Sequence, residues 1–179
     1  LNGHQPMQYK NLTITLNGEI YNFQEIKKTL QQEGYEFFSN TDTEVAIKAI
    51  YHWGIENALK EFIGMFAIAL YDNNKGHLYL IRDRLGIKPL YYYYKPNHLV
   101  FASELKSIME YPFFEKDINF ISTYSYLYHG YYTSPNTVFN DVYKLEPGSF
   151  LCFGGKKLTL KKYWDLKEIF KSKTKENLN

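Results

Sequence analysis

The strongest constraint on the fold is a change of hydrophobic period along the chain. Leu12, Ile14 and Leu16 alternate with Thr13 and Thr15, the two-residue period of a half-buried strand. Asn17-Gly18 breaks that strand, and the period lengthens. Phe23, Ile26 and Leu30 recur at helical spacing, Asn22 and Glu25 stand where a capping pair would, and Gly34 is placed to end the helix. A short strand is expected at 35–38. Thr41 and Glu44 repeat the capping pattern before Val45, Ile47, Ile50 and Tyr51, a helix that Gly54 ends, and a third, short helix is expected over 57–62. From Met65 onward the chain reads mostly as hairpins: an apolar run at 65–71, a turn at 72–76 and a strand at 77–81, then paired strands at 90–94 and 99–102. Helices are expected at 104–109 and 118–129, the second closed by Gly130, followed by hairpins over 138–163. Antiparallel hairpins with segregated helices imply an α+β fold whose sheets are covered by helices, not a βαβ alternation. The sequence has no fixed-period repeat and no glycine-rich phosphate motif.

Composition narrows the function classes. A chain of 179 residues suits one domain with a tail. No apolar run is long enough to span a bilayer as a helix. A single cysteine, Cys152, excludes an intramolecular disulfide framework and a cysteine zinc site. The net charge of +2, with acids and bases interspersed, gives no basic stripe for nucleic acid. Lysines gather only near the end, from Lys156 to Lys175, as expected of a solvated tail. The 18 tyrosines, four of them consecutive at Tyr91-Tyr92-Tyr93-Tyr94, fit either an aromatic binding face or a coding bias, the bias being the simpler. The sequence opens on Leu1, so its N-terminus says nothing about targeting.

Catalysis requires a nucleophile, a base or a metal set. Cys152 lies in an alternating stretch and reads as a small buried hydrophobe. The five histidines have no metal-ligand spacing. Asn17-Gly18-Glu19 is more informative. Asn-Gly is the favoured two-residue hairpin turn, and that is the simpler local reading. The other reading is an exposed amide beside a glycine N–H at a strand end, two donors able to hold a developing oxyanion. Asp42, at a helix start, either complements the helix dipole or receives a substrate ammonium. In Arg82-Asp83-Arg84-Leu85-Gly86-Ile87-Lys88-Pro89 the alternating charges read as a solvated loop, while Gly86 and Pro89 would fix a backbone suited to a domain contact.

These segments, taken in order, resemble the glutamine amidotransferase domain of asparagine synthetases. The strings are Gln5-Pro6-Met7, Leu16-Asn17-Gly18-Glu19-Ile20-Tyr21-Asn22, Asp42-Thr43-Glu44-Val45 and Gly64-Met65-Phe66-Ala67. They continue with the arginine loop through Tyr91, Phe101-Ala102-Ser103-Glu104-Leu105-Lys106 and Lys144-Leu145-Glu146-Pro147-Gly148. The resemblance runs from about Asn2 to Trp164. It implies a class II, N-terminal-nucleophile fold, a four-layer αββα sandwich of antiparallel sheets. The domain would occupy 1–164, incomplete at its N-terminus, with 165–179 a linker or tail toward an ATP-dependent synthetase domain.

In that family glutamine is hydrolysed, and the ammonia passes to aspartate that ATP has activated as an adenylate. By the resemblance, Asn17 and Gly18 form the oxyanion hole and, with Glu19 and Asp42, bind glutamine, Asp42 through the α-ammonium. Arg82, Asp83, Gly86 and Pro89 match a segment packed near the partner domain. The implied partners are glutamine and a synthetase domain in the same or another chain, to which ATP and Mg²⁺ belong. No cofactor or metal is expected on this chain, nor a nucleic-acid or membrane partner. A cytoplasmic location is expected, and the oligomeric state, a homodimer included, is left open. The family's nucleophile is a cysteine at the mature N-terminus, assisted by its own α-amine. This sequence begins at Leu1, and the internal Cys152 cannot take that role, so the 179-residue chain alone is expected to be inactive toward glutamine. Two other readings remain: a homologue that amidates sugars or peptide-like precursors, and a non-catalytic module that grips a synthetase partner.

Overall fold

The computed structural model describes residues 3–96, 98–168 and 170. Nine strands and five helices are named among them: β1 (Met7–Tyr9), β2 (Leu12–Ile20), α1 (Phe23–Gln32), α2 (Asp42–Trp53), α3 (Ile55–Glu61), β3 (Gly64–Asp72), β4 (His77–Arg82), β5 (Tyr91–Lys95), β6 (His98–Ala102), α4 (Leu105–Met109), α5 (Phe120–His129), β7 (Val142–Lys144), β8 (Ser149–Gly154) and β9 (Lys157–Lys162). The strands form a six-stranded antiparallel sheet, β1-β2-β3-β4-β8-β9, and a three-stranded one, β6-β5-β7. Most of the expected tail after Asp165 lies outside the described residues.

Strand alternation sorts the core into layers. Ile14, Ile20, Phe66, Ile68, Leu70 and Ile81 point to one side of the large sheet, where they pack with Ile26 and Leu30 of α1, Val45 and Ile47 of α2 and Leu59 of α3. Their neighbours Ala67, Leu80 and Leu151 point the other way, onto Leu90, Tyr92 and Leu145. Tyr93 and Val142 face outward from the small sheet onto Ile108 of α4. The order is therefore helix, sheet, sheet, helix, the expected four-layer αββα arrangement.

The tyrosine block is strand β5. Tyr92 and Tyr94 face the large sheet, while Tyr91 and Tyr93 face α4. Burial, with Tyr143 and Glu146 nearby, pushes the Tyr92 hydroxyl up to about 12. The block is core rather than a binding face.

Four local expectations are corrected. Asn17-Gly18 does not break the first strand: both residues lie within β2, opposite Ala67 and Phe66 of β3. Asn22 does not cap α1 with its side chain; its amide instead bridges to the Glu61 carbonyl and the Ile63 N–H, at 2.9 and 3.0 Å. Residues 35–38 form no strand, because the Phe38 and Ser39 N–H groups are taken by the Glu44 carboxylate. β7 and β8 are not a hairpin, since β7 pairs with β5 in the small sheet and β8 with β4 in the large one. The cap of α2 is as expected, with the Glu44 N–H donating to the Thr41 hydroxyl at 3.4 Å.

Glu44 also anchors a buried ion pair. The Lys48 ammonium is 2.5 Å from its carboxylate, and both side chains are nearly inaccessible. Burial alone would raise the Glu44 carboxyl, but Lys48, the Ser39 hydroxyl and two backbone N–H groups outweigh it and hold it at about 2. A carboxylate depressed in the folded state stabilises fully above its unfolded value, and that contribution is lost as pH falls through the folded one. Stability measured by urea titration should therefore decline between about pH 4.5 and pH 2. Glu44→Gln should flatten the decline; an identical slope in the variant contradicts the assignment.

Candidate active site

Gln5 and Asp42 meet the outer edge of β2, and Asn17 and Glu19 lie on the strand between them. Antiparallel strands send alternate N–H groups to opposite neighbours. Past the end of the ladder, the Tyr21 N–H donates inward to Ile63 at 2.7 Å. The even-numbered residues donate outward. The Leu16 N–H goes to the Gln5 side-chain oxygen at 2.7 Å, and the Gln5 amide returns to the Leu16 carbonyl at 3.1 Å, so one side chain stands in for a strand. The Ile20 N–H goes to Asp42 Oδ2 at 3.0 Å. Gly18 lies midway between them, and the alternation turns its N–H to the same edge.

Gly18 is glycine for a reason of space. Its φ is +135°, and a Cβ there would fall 2.0 Å from the Met65 carbonyl oxygen. Only a residue without a side chain lets the β2 and β3 backbones approach so closely while an N–H faces outward.

Asn17 and Glu19 project toward the small sheet, opposite to Leu16 and Ile20. Both are exposed. The Asn17 amide donates to Ser103 Oγ at 2.9 Å, which fixes its direction from just beyond β6. Asp42 sits in the first turn of α2, where its charge complements the helix dipole. Its other oxygen accepts from the Thr43 hydroxyl at 3.4 Å. Dipole complement and ligand position are compatible, because Ile20 is only three residues along β2 from Asn17. Gln5 and Ser103 bond to residues of this strand, a role that was not legible in the sequence. Each lies in a motif string, yet its role depends on a partner 11 or 86 residues away.

The arginine loop leaves the same end of the sheet, since Arg82 pairs with Ala67, which pairs with Asn17. It is not a solvated charge run. The half-buried Arg82 guanidinium donates to three carbonyls, Lys88, Leu145 and Gly86, at 2.8, 2.6 and 2.6 Å. Burial lowers its pKa, partly offset by Asp83 and Tyr91. Asp83 is fully buried and accepts from the N–H groups of Leu85, Ile87 and Lys88 at 3.1, 3.0 and 2.9 Å. Gly86, at φ +67°, leaves room for Pro147. The loop is thus braced from both sides while Leu85 and Ile87 stay exposed.

Cys152 lies elsewhere. It pairs with Tyr79 in β4, Tyr79 with Leu70 in β3, and Leu70 with Ile14 in β2. Three strand spacings, roughly 14 Å, separate it from β2. It is half-buried rather than buried, and its sulfur is 3.9 Å from His77 Nδ1. Burial, and secondarily Cys152, pushes the neighbouring Tyr79 up to about 12. No group of His, Cys, Asp or Glu that could hold a metal occurs among the described residues.

Comparison with known proteins gives the family. A family model described as a glutamine amidotransferase domain matches residues 1–164. This chain belongs to that family. A putative glutamine-hydrolysing asparagine synthetase of Methanocaldococcus jannaschii is 36% identical over 92% of the chain and 35% of its own length. Asparagine synthetase 2 of Bacillus subtilis is 32% identical over the whole chain and 25% of its own length. A Gibberella zeae protein named amidase chry2 is 32% identical over 92% of the chain and 24% of its own length. The chain therefore spans about a third or less of these relatives. Among solved structures, the glutamine phosphoribosylpyrophosphate amidotransferase of B. subtilis superposes with a TM-score of 0.62 over 89% of this chain and 32% of its own, at 21% identity, a likeness of fold. No helix among the described residues is long and apolar enough to cross a membrane.

Proposed function

We propose that this amidotransferase domain serves a glutamine-dependent asparagine synthetase and contributes the part of the glutamine site that lies on β2. The observation that carries the reading is the edge of that strand. Gln5 and Asp42 occupy the N–H groups on either side of Gly18, and the Asn17 amide stands next to it. Amide hydrolysis passes through a tetrahedral oxyanion, and preorganised donors of this kind stabilise it at little reorganisation cost. Asn17 and Gly18 would hold the oxyanion, while Glu19 and Asp42 bind the substrate, Asp42 receiving the α-ammonium. The ammonia would then pass to a synthetase domain, in the same chain or another, that carries ATP, Mg²⁺ and activated aspartate. A biosynthetic role of this kind puts the protein in the cytosol.

The nucleophile is not supplied by the described residues. Cys152 is a mid-strand residue without a free α-amine, about three strands from β2. The 179-residue chain alone should release no glutamate from glutamine above background. Any glutamate release above background by the purified 179-residue chain would contradict this. In the natural polypeptide that carries these residues, Asp42→Asn should raise KM for glutamine by on the order of tenfold or more, with a smaller change in kcat. An unchanged KM removes Asp42 from the substrate site.

One relative favours a second reading of the acceptor. The fungal protein named an amidase is as similar as the B. subtilis asparagine synthetase, so aspartate is not the only acceptor the domain could serve. Aspartate-dependent against aspartate-independent consumption of ATP separates the two. The non-catalytic module has no observation in its favour.

A further inference from the structure

Helix α5 is amphipathic in the wrong sense. Phe120, Ile121, Tyr124, Leu127 and Tyr128 occupy a stripe about 120° wide, and each is 77–85% exposed. Ser122, on the opposite side, is buried, and Thr123 and Ser125 are half-buried. The polar side packs onto the domain and the apolar side faces solvent. The helix needs no partner to form. Asn119 Oδ1 accepts from the Ser122 N–H at 2.9 Å, and Gly130 closes the other end in a left-handed conformation. Residues 118–140 contain no Asp, Glu, Lys or Arg.

The five exposed side chains offer on the order of 800 Å², more than the largest apolar patch of most monomers and about one partner's share of a standard protein interface. Tyrosine and phenylalanine at its centre, with charges excluded, is the composition of an interface core. Three observations bear on what covers it. The relatives are about three to four times longer than this chain. The backbone reaches Trp164 beside Gly148, whose N–H donates to the Asp83 carbonyl of the arginine loop. Pro135, shortly after α5, lines one cleft with Leu160 and Lys161, just before that point. A polypeptide continuing past Trp164 would emerge next to both the segment that follows α5 and the arginine loop with its exposed Leu85 and Ile87.

We infer that the apolar face of α5 is the seat of the synthetase domain, which docks there through an uncharged, apolar surface of its own. This rests on the proposed function and deepens it by naming the contact. A seat on α5 would hold the two active sites in register for ammonia transfer.

Tyrosine nitration by tetranitromethane, read by mass spectrometry, tests the assignment. The natural polypeptide that carries these residues is compared with the 179-residue chain at low concentration, with exposed Tyr51 and Tyr71 as internal references. Tyr124 and Tyr128 should react freely in the short chain and at least about tenfold more slowly in the natural polypeptide, because a covered ring is protected. Leu127→Glu in the natural polypeptide should restore their reactivity. Equal reactivity in both proteins overturns the assignment. So does protection that grows with concentration in the short chain, which points to a second copy, or a natural polypeptide with no synthetase domain. Glutamate release from the same preparation is a separate readout, so the docking face can fail while the glutamine site stands.

Discussion

Gly18→Ala should cost the protein most of its stability. The added Cβ would sit 2.0 Å from the Met65 carbonyl oxygen and 2.8 Å from the Phe66 Cα, backbone atoms in the middle of the large sheet. The reverse contact is as tight, since a Cβ on Gly64 would meet the Glu19 carbonyl at 2.1 Å. Neither strand can retreat, because β3 is held by β4 on its other side. The strained φ of +135° adds to the steric term. A loss above about 4 kcal/mol is expected, the range reserved for named structural faults, which for a chain of this length lowers Tm by roughly 10 °C or more. Gly34→Ala is the matched control. Gly34 also has positive φ, at +86°, but an added Cβ there meets nothing within 4 Å, so only the conformational penalty of about 1 kcal/mol applies. Thermal melts followed by circular dichroism separate the two; equal melts would show that β2 and β3 do not approach as described.

Lys48→Met should be nearly as damaging, for an electrostatic reason. The Lys48 ammonium meets the Glu44 carboxylate and the Glu36 carbonyl, both at 2.5 Å, and lies 4.5 Å from the Phe37 ring centroid and 5.2 Å from those of Tyr9 and Phe38. Methionine keeps the length and the contact with the rings but leaves a carboxylate buried without its cation. Breaking a buried pair from one side typically costs about 3–5 kcal/mol, whereas removing both charges costs far less. The double variant Glu44→Gln/Lys48→Met should therefore be more stable than Lys48→Met alone. Urea midpoints of the four proteins in the cycle test this, and a double variant less stable than the single one contradicts the account.

These cases show what local sequence could reveal and what it could not. The cap of α2 was legible because Thr41 and Glu44 are three residues apart and complete their bond locally. The β3–β4 hairpin was legible because its turn, 72–76, carries its own signal. Asn17-Gly18 was misleading, since the dipeptide is locally the best of turns. What keeps it extended is β3, some 49 residues later, pairing with it along the whole strand. The tyrosine block was ambiguous in composition but is resolved by alternation, two rings to each side of a buried strand. Helix α5 was legible as a helix that Gly130 closes. Its sequence does not say which face turns inward, and here the apolar one turns out. At the proposed site, the motif strings pointed to Asn17, Gly18, Glu19 and Asp42. The supporting bonds of Gln5 and Ser103 required the fold.

The most direct test of the central claim is steady-state glutaminase activity of the natural polypeptide that carries these residues, wild type against Asn17→Ala. If Asn17 and the Gly18 N–H hold the oxyanion, the variant should lose about 10²–10³ in kcat, the cost of one missing oxyanion donor, with a much smaller change in KM. A variant that turns over glutamine at the wild-type rate would contradict the claim that the outer edge of β2 is the catalytic edge.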